Sequence, residues 1–283
     1  MLGYRHAFHA GNHADVLKHL VLVRILRHMN QKEKPYWYID THAGAGLYGL
    51  DSGYATKNAE HEQGINRLWS VTDLPEPLTD FVDLLRDLNP RGRLTLYPGS
   101  PYIAQKLLRP IDKMRLFEMH TTDIELLGRT FHDGRRVVVT LGDGFAGLKS
   151  SLPPPPRRAV VLIDPSYEDK ADYARVPEAL KDSLKRFATG TYIIWYPLLG
   201  RADAQRLPER LRSAAKALGA EWLDVNLQVY KPVTGETGMH GSGLFIVNPP
   251  WTLEADLRVC MPVLASLLAQ GSQASFNLER SKG

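Results

Sequence analysis

Cysteine and long apolar runs are scarce in this 283-residue sequence, and each scarcity excludes a class of protein. The single cysteine, Cys260, excludes an internal disulfide framework and a cysteine-rich zinc site, and it suits a reducing compartment. No apolar run reaches the ~18 residues that a membrane helix needs, and the N-terminus lacks the apolar core of a signal peptide. We therefore expect a cytoplasmic protein that has no membrane segment.

A strong charge imbalance is also missing. Lys and Arg number 35 against 31 Asp and Glu, a net charge of +4, which tolerates a polyanionic partner without requiring one. With 43% hydrophobic residues, the chain can bury a full core in one domain or two. We expect a monomer with one domain over residues 1–283.

Short apolar runs rich in β-branched and aromatic residues predict the strands of a sheet covered on both faces. They lie at 36–39, 115–117, 137–140, 160–163, 192–195 and 244–247. Helical patterns such as 179–187 lie between them, so strands and helices alternate. This alternation predicts an α/β fold with a doubly wound, largely parallel sheet, whose binding site lies at the carboxyl ends of the strands.

Three segments are expected outside this alternation. Residues 1–30 combine a polar, aromatic motif with a helix, and residues 51–92 look like a small helical insertion. Residues 271–283 are small and polar, and we expect a flexible tail there.

A glycine-rich turn follows the first strand, where residues 40–46 read Asp-Thr-His-Ala-Gly-Ala-Gly. Glycines such as Gly44 let a ligand approach the backbone closely. Residues 44–49 also match the pattern G-x-G-x-x-G, which would indicate an NAD(P)-dependent oxidoreductase. That site needs an acid about 20 positions later, at the end of the second strand. Residues 66–69 stand there instead, inside the helical insertion, so this alternative is disfavoured.

Acids at the ends of the next two strands favour a different nucleoside cofactor. Glu118 ends the second strand of the sheet, where a carboxylate can accept both hydroxyls of a ribose. Asp143 follows the third strand and can accept from an adenine amine, while Gly144 leaves room for the ring. A glycine turn, Glu118 and Asp143 in this order are expected of an S-adenosylmethionine site.

The fourth strand leads into residues 164–167, Asp-Pro-Ser-Tyr. An exocyclic adenine amine is a poor nucleophile, and two acceptors must hold its N–H groups while its lone pair meets the methyl group. The Asp164 carboxylate and the Pro165 carbonyl can be those acceptors, and Tyr167 offers a face for stacking the base. We therefore expect Asp164, Pro165 and Tyr167 to be the catalytic residues.

The N-terminal segment mixes aromatic and basic residues, which suits RNA. Tyr4 and His6 can stack or hydrogen-bond, while Arg5 and Lys18 can meet phosphate. A catalytically silent RNA-binding protein remains an alternative, and it predicts RNA binding without methyl transfer.

Two patterns are misleading. Residues 248–251, Asn-Pro-Pro-Trp, also look like an amine-binding tetrapeptide, but they follow the last predicted strand, so we prefer Asp164. His9 and His13 lie four residues apart, but no carboxylate or cysteine partner is evident, so we expect no metal.

Five motifs together resemble one known family. They are Tyr-Arg-His at 4–6, Gly-Asn-His-Ala-Asp-Val-Leu-Lys-His at 11–19, the turn at 40–46, Tyr-Pro-Gly-Ser-Pro at 97–101 and Trp-Tyr-Pro at 195–197. Over nearly its whole length the sequence resembles the RlmJ family of 23S ribosomal RNA adenine-N6 methyltransferases. The resemblance implies a class I, Rossmann-like methyltransferase with a small helical insertion. It also implies S-adenosylmethionine as cofactor and naked or early-assembly 23S rRNA as partner, with adenine 2030 as the target.

The resemblance also implies roles for individual residues. The catalytic residue would be Asp164, and Tyr4, His6 and Lys18 would bind the RNA or the target adenine. The cofactor would be surrounded by His19, His42, Gly44, Ser100, Glu118, Asp143, Gly144 and Asp164. One departure matters: the family tetrapeptide is usually Asp-Pro-Pro-Tyr, and Ser166 replaces its second proline, which removes a locked backbone angle.

Overall fold

The computed structural model describes residues 6–51, 59–131, 134–232 and 238–281. The strands are β1 Trp37–Asp40, β2 Leu47–Gly49, β3 Leu96–Pro98, β4 Lys113–Glu118, β5 Val137–Leu141, β6 Ala159–Ile163, β7 Thr191–Leu198, β8 Trp222–Gln228, β9 Gly241–Val247 and β10 Ser275–Arg280. The helices are α1 His13–Asn30, α2 Asn66–Trp69, α3 Glu76–Leu88, α4 Ser100–Leu107, α5 Thr121–Thr130, α6 Gly144–Ser151, α7 Asp172–Arg186, α8 Ala202–Ala217 and α9 Leu253–Leu267, with 3-10 turns at His6–Phe8 and Glu60–Gln63.

The main sheet has eight strands in the order β10-β8-β9-β7-β6-β1-β4-β5. From β7 to β5 all neighbours are parallel, whereas β9 runs antiparallel to both β7 and β8. A separate ribbon pairs β2 with β3. All six strands expected from the sequence belong to the main sheet, and the predicted doubly wound α/β fold is confirmed.

The strands are apolar without interruption because helices cover both faces of the sheet. In β6, Val160 and Leu162 face a core that also contains buried residues of α1, α3, α4 and α9. Val161 and Ile163 face the opposite core, formed with α6, α7 and α8. No helix in the described ranges is long and apolar enough to cross a membrane.

Helix α1 begins at an Asn12 cap, whose side chain accepts hydrogen bonds from the backbone N–H groups of Ala14 and Asp15, both at 3.0 Å. The helix is buried on almost every side, and its polar Asp15 and Lys18 are buried with it. Because a buried charge needs a partner, α1 must meet other polar groups inside the molecule.

The prediction of a flexible tail at 271–283 was wrong. Residues 275–280 form β10, which pairs antiparallel with β8 along six registered positions. Arg280 reinforces this edge through ion pairs to Glu221 at 3.0 Å and Glu254 at 3.4 Å. Small and polar composition concealed the strand, because an edge strand exposes much of its surface. In the predicted insertion at 51–92, the described residues include the 3-10 turn Glu60–Gln63, α2 and α3.

Candidate active site

A cavity of about 440 Å³ opens at the carboxyl ends of the parallel strands. The predicted site residues that line it are His6, Lys18, His19, His42, Gly44, Ser100, Glu118, Asp143, Asp164, Pro165 and Tyr167. Residues separated by more than 150 positions thus converge on one cavity. Tyr4 lies outside the described residues.

The glycine turn after β1 has the geometry that the sequence predicts. Gly44 and Gly46 have φ values of +60° and +79°, a region that favours glycine. The N–H of Gly44 donates to Glu118 Oε2 at 2.8 Å, and the N–H of His120 donates to Glu118 Oε1 at 2.7 Å. Burial raises the pKa of Glu118. Each of its oxygens still has a second lone pair for a ligand hydroxyl.

Asp143 has two protein partners that the sequence did not reveal. Its Oδ1 caps α6 by accepting from the Phe145 N–H at 2.8 Å, and its Oδ2 meets Arg175 Nη2 at 2.5 Å. The Arg175 guanidinium also lies 4.5 Å from the centre of the Phe145 ring. Any ligand group that binds the Asp143 carboxylate would therefore share it with Arg175.

Gly144 does not line the cavity, and its lack of a side chain has another cause. A Cβ on Gly144 would collide with the backbone carbonyl oxygen of Thr41. The glycine therefore allows the start of α6 to pack directly against the turn after β1.

Asp164 follows β6 and meets α1 across the cavity. Its Oδ2 accepts a hydrogen bond from Lys18 Nζ at 2.7 Å, and Lys18 Nζ also lies 2.8 Å from Asp15 Oδ1. Burial raises the pKa of Asp164, while the Lys18 ammonium opposes that effect. Burial lowers the pKa of Lys18, but the two carboxylates outweigh it and raise the pKa overall. Asp164 Oδ1 has no hydrogen-bond partner among the described residues and remains available to a ligand.

Asp15 connects the N-terminal motif to this ion pair. Its Oδ2 lies 2.9 Å from His6 Nε2 and accepts from the Gly11 N–H at 2.9 Å. His6 also contacts Tyr48 of β2 edge to face, with ring centres 5.2 Å apart. Burial would raise the pKa of Asp15, but the neighbouring His6 and Lys18 hold it well below its usual value. Nothing in the sequence near Asp15 indicated this connection.

Tyr167 is held in one orientation. Its φ is +55°, and its hydroxyl donates to the Trp195 carbonyl at 2.7 Å. Its ring centre lies 4.8 Å from Tyr173 and 5.9 Å from Trp195, and only 3% of the residue is exposed. Trp195 also lines the cavity, so the motif at 195–197 contributes to the same site.

Asp40, at the end of β1, was not proposed from the sequence as a site residue. Its Oδ2 accepts from the hydroxyls of Tyr38 and Ser100, both at 2.7 Å, and its Oδ1 accepts from the His42 N–H at 3.2 Å. Burial raises the pKa of Asp40 to about 6. Its position just before the glycine turn was the signal that could have identified it. Burial also lowers the pKa of the adjacent His42 to about 4, which keeps that imidazole neutral at pH 7.

The competing tetrapeptide at 248–251 lies at the other edge of the sheet. Because β9 is antiparallel to β7, its end at Val247 pairs with Tyr192 near the start of β7. The Asn248 side chain donates to the carbonyls of Ala188 and Gly190, each at 2.7 Å. Asn248 therefore closes a turn far from the cavity.

The cavity fits a cationic nucleoside. Its lining contains the acids Asp15, Glu118, Asp123, Asp143, Asp164, Asp169 and Asp172, and the bases Lys18 and Arg175. This acidic excess suits a sulfonium and an ammonium group, and the glycine turn lies beside Glu118 where a ribose is expected. Fold and site together define a class I methyltransferase that uses S-adenosylmethionine.

Comparison with known families agrees. The family described as ribosomal RNA large subunit methyltransferase D, RlmJ, matches residues 33–279, and the chain belongs to that family.

Individual relatives are similar over almost their full length. A protein of Haemophilus influenzae named ribosomal RNA large subunit methyltransferase J is 44% identical over 280 residues, 99% of this chain and 98% of that protein. An Escherichia coli protein with the same name is 44% identical over 268 residues, 95% of this chain and 94% of that protein. A crystal structure of a Legionella pneumophila protein superposes with a TM-score of 0.88 at 33% identity, covering 97% of this chain and 99% of that chain.

Proposed function

We propose that this ribosomal RNA methyltransferase transfers a methyl group from S-adenosylmethionine to the exocyclic N6 amine of an adenine in 23S rRNA. By family resemblance the target is adenine 2030. The observation that carries the proposal is that Lys18 occupies one oxygen of the Asp164 carboxylate and not the other. Lys18 Nζ holds its Oδ2 at 2.7 Å, so Oδ1 is the oxygen left for a ligand, and Pro165 lines the same cavity.

The amine requires two acceptors and an orienting surface. Asp164 Oδ1 accepts one N–H and the Pro165 carbonyl accepts the other, so that the nitrogen lone pair points toward the donor. Bound S-adenosylmethionine would supply the methyl group from its sulfonium, whose sulfur would become a neutral thioether. Asp164, whose pKa is raised by burial, is placed to accept the proton that the nitrogen then loses.

Lys18 has a positioning role in this scheme. Its ammonium is shared between Asp15 and Asp164, so the acid from β6 is fixed against α1. The ammonium also favours the ionised form of Asp164, because it opposes the effect of burial on the pKa. His6 reaches the same network through Asp15, and with Tyr4 it would contact the target nucleotide.

The flipped base would stack on Tyr167, whose ring Tyr173, Trp195 and the hydrogen bond to the Trp195 carbonyl hold in place. A rigid ring loses little entropy when a base stacks on it. Ser166 keeps the Pro165 carbonyl of the tetrapeptide, so the departure from the family pattern leaves the acceptor pair intact.

The cofactor would lie across the strand ends. Glu118 would accept the ribose hydroxyls, Asp143 the adenine amine, and the backbone at Gly44 would approach the remainder of the molecule. Asp40 fixes two other residues that line the cavity, because it accepts hydrogen bonds from the Ser100 hydroxyl and the His42 N–H. A 2.8 Å contact with the Tyr97 hydroxyl fixes His19 in the same lining.

The test uses methyl-labelled cofactor and unmodified 23S rRNA, followed by digestion to nucleosides. We expect the label in N6-methyladenosine, its loss in Asp164→Asn, and its retention in Asp73→Asn, which changes an exposed acid away from the cavity. Label in another nucleoside would refute the reaction. Binding of NAD(P) but not of S-adenosylhomocysteine would favour an oxidoreductase, and RNA binding without any methyl transfer would favour a silent RNA-binding protein.

A further inference from the structure

A cluster of basic residues lies at the edge of the sheet opposite the cavity, where the parallel strands begin. The segments that lead into β1, β4, β5 and β6 are 31–36, 109–113, 134–136 and 155–158. They contain the bases Lys32, Lys34, Arg109, Lys113, Arg135, Arg136, Arg157 and Arg158, and only two acids, Glu33 and Asp112. We call these eight bases the basic edge.

Backbone hydrogen bonds hold the basic edge together. The Trp37 N–H donates to the Arg158 carbonyl at 3.0 Å, and the Lys113 N–H donates to the Tyr36 carbonyl at 3.1 Å. The Met114 N–H donates to the Arg136 carbonyl at 2.8 Å. The four segments are therefore one continuous surface, fixed by the register of the sheet.

Within this surface, two guanidinium groups converge. Arg109 and Arg158 both donate to the Lys34 carbonyl, and both lie against the Tyr36 ring, 5.7 and 5.8 Å from its centre. Asp112 pairs with Arg109 at 2.9 Å. Arg158 forms no ion pair in the part of the chain that the structure describes, and burial together with the nearby Arg109 lowers its pKa. A phosphate would offer the anionic partner that Arg158 lacks.

Bases elsewhere on the surface are frequently neutralised by acids. Arg27 pairs with Asp80 at 2.6 Å, Arg212 with Asp224 at 2.8 Å and Arg258 with Glu254 at 2.5 Å. By contrast, within the described ranges no ion pair is formed by Lys32, Lys34, Lys113, Arg157 or Arg158 of the basic edge. These five bases therefore keep their charge available to an anion at this edge.

The cavity has the opposite character, because its seven acids outnumber its two bases, Lys18 and Arg175. An RNA backbone approaching only the cavity would be repelled. Lys34 lies six residues before Asp40 along the chain, so roughly 20 Å of extended backbone separates the two edges. A folded rRNA region can reach both edges at once, whereas the target nucleotide in the cavity does not by itself reach the basic edge.

We propose that the basic edge is a second RNA-binding surface, which holds the phosphates of a folded rRNA region while the target adenine enters the cavity. The inference rests on the proposed function, since it assigns the affinity for the substrate to a surface remote from the chemistry. The recognition is of phosphate charge and carries no base specificity.

The experiment compares Lys34→Glu/Lys113→Glu with Arg206→Glu/Lys216→Glu. All four positions are exposed, and both pairs change the net charge equally, but the control pair lies on α8. Binding of a folded 23S rRNA fragment and of a short single-stranded oligonucleotide containing the target is measured without cofactor, over roughly 50 to 300 mM salt.

We expect the first pair to weaken binding of the fragment by about tenfold to a hundredfold near 0.1 M salt and to reduce the slope of log K against log salt by about two. Binding of the short oligonucleotide and of S-adenosylhomocysteine should not change. KM for the fragment should rise with kcat maintained. The control pair should have little effect on either RNA.

Equal effects of the two pairs would overturn the proposal, because net charge alone would then explain them. Unchanged fragment binding in the first pair would also overturn it. Binding to vesicles of phosphatidylserine and phosphatidylcholine is measured in the same way. If the first pair lost binding to these vesicles but kept binding to the RNA fragment, the basic edge would be a lipid-binding surface and the proposal would be overturned. Because binding is measured without methyl transfer, wild-type protein that binds the fragment but yields no N6-methyladenosine would refute only the proposed function.

Discussion

Lys18 in the first helix and Asp164 after the sixth strand form a direct ion pair, with Nζ 2.7 Å from Oδ2, although they lie 146 positions apart. The same ammonium lies 2.8 Å from Asp15 Oδ1. A single buried charge thus joins the N-terminal motif to the acid that would hold the target amine. A buried cation between two carboxylates is stable only as a set, because removal of one member leaves others unpaired.

Replacement of Lys18 should therefore change the pH dependence of the reaction. Burial raises the pKa of Asp164, and the Lys18 ammonium opposes it. In Lys18→Met the pKa should rise further, so the acid limb of the pH–rate profile should move to higher pH. We expect at least a tenfold loss of single-turnover rate at pH 7.

Lys18→Arg is the matched control for this effect, because it retains the charge. Its acid limb should stay near that of the wild type even if the rate falls through altered geometry. An acid limb that does not move in Lys18→Met would contradict the role assigned to the ammonium.

The sequence predicted those features that depend on local pattern. Residues 160–163 read as a strand buried on both faces, and β6 has this environment because helices cover each side of it. Glu118 and Asp143 could be placed because acids that end parallel strands share one edge of a sheet.

Features that depend on distant partners could not be predicted. The contact of Arg175 with Asp143 joins α7 to the end of β5, and nothing in the sequence near either residue indicates it. Strand β10 was missed because its polar residues at an exposed edge give no clear alternation, and only pairing with β8 makes it a strand.

Cofactor affinity should depend on the charge of Glu118. Its carboxylate accepts from the backbone N–H groups of Gly44 and His120, and both oxygens have further capacity for ribose hydroxyls. The amide of Glu118→Gln has only one acceptor atom, so one of these contacts must be lost. By calorimetry with S-adenosylhomocysteine we expect affinity to fall about tenfold to a hundredfold, as for a hydrogen bond to a charged group.

Glu125→Gln makes the same substitution on the exposed side of α5 and should bind S-adenosylhomocysteine as the wild type does. If both variants bound equally well, Glu118 would be a structural cap of the glycine turn and would not bind the ribose.

Gly144→Ala should destabilise the protein, whereas Gly142→Ala, two positions earlier, should have little effect. A Cβ on Gly144 would collide with the Thr41 carbonyl oxygen, and backbone against backbone cannot relax easily. A Cβ on Gly142 would meet no atom within 4 Å. We expect Gly144→Ala to lower the free energy of unfolding in urea by about 2 kcal/mol, as overpacking does, and Gly142→Ala to change it by less than about 1 kcal/mol. Equal losses in the two variants would mean that the contact between α6 and the turn after β1 is not tight.

Asp40 should make the stability of the protein fall as the pH rises. Burial raises its pKa in the folded state to about 6, from a usual value of 3.8. Between these values the folded protein binds a proton that the unfolded chain has released, so the free energy of unfolding decreases with increasing pH. Below pH 3.8 Asp40 is protonated in both the folded and the unfolded protein, so it does not change the free energy of unfolding. Above pH 6 Asp40 is ionised in both, and the full loss of stability has been reached. The difference of about two pH units corresponds to about 3 kcal/mol.

Asp40→Asn removes this ionisation while its amide oxygen can still accept from the hydroxyls of Tyr38 and Ser100. Relative to the wild type, the variant should therefore gain stability between pH 4 and pH 7, as measured by urea unfolding at each pH. Asp73→Asn alters an exposed acid and should follow the wild type across the range. If the difference between Asp40→Asn and the wild type were independent of pH, the carboxyl of Asp40 would ionise normally in the fold, and the hydrogen bonds that it accepts would outweigh its burial.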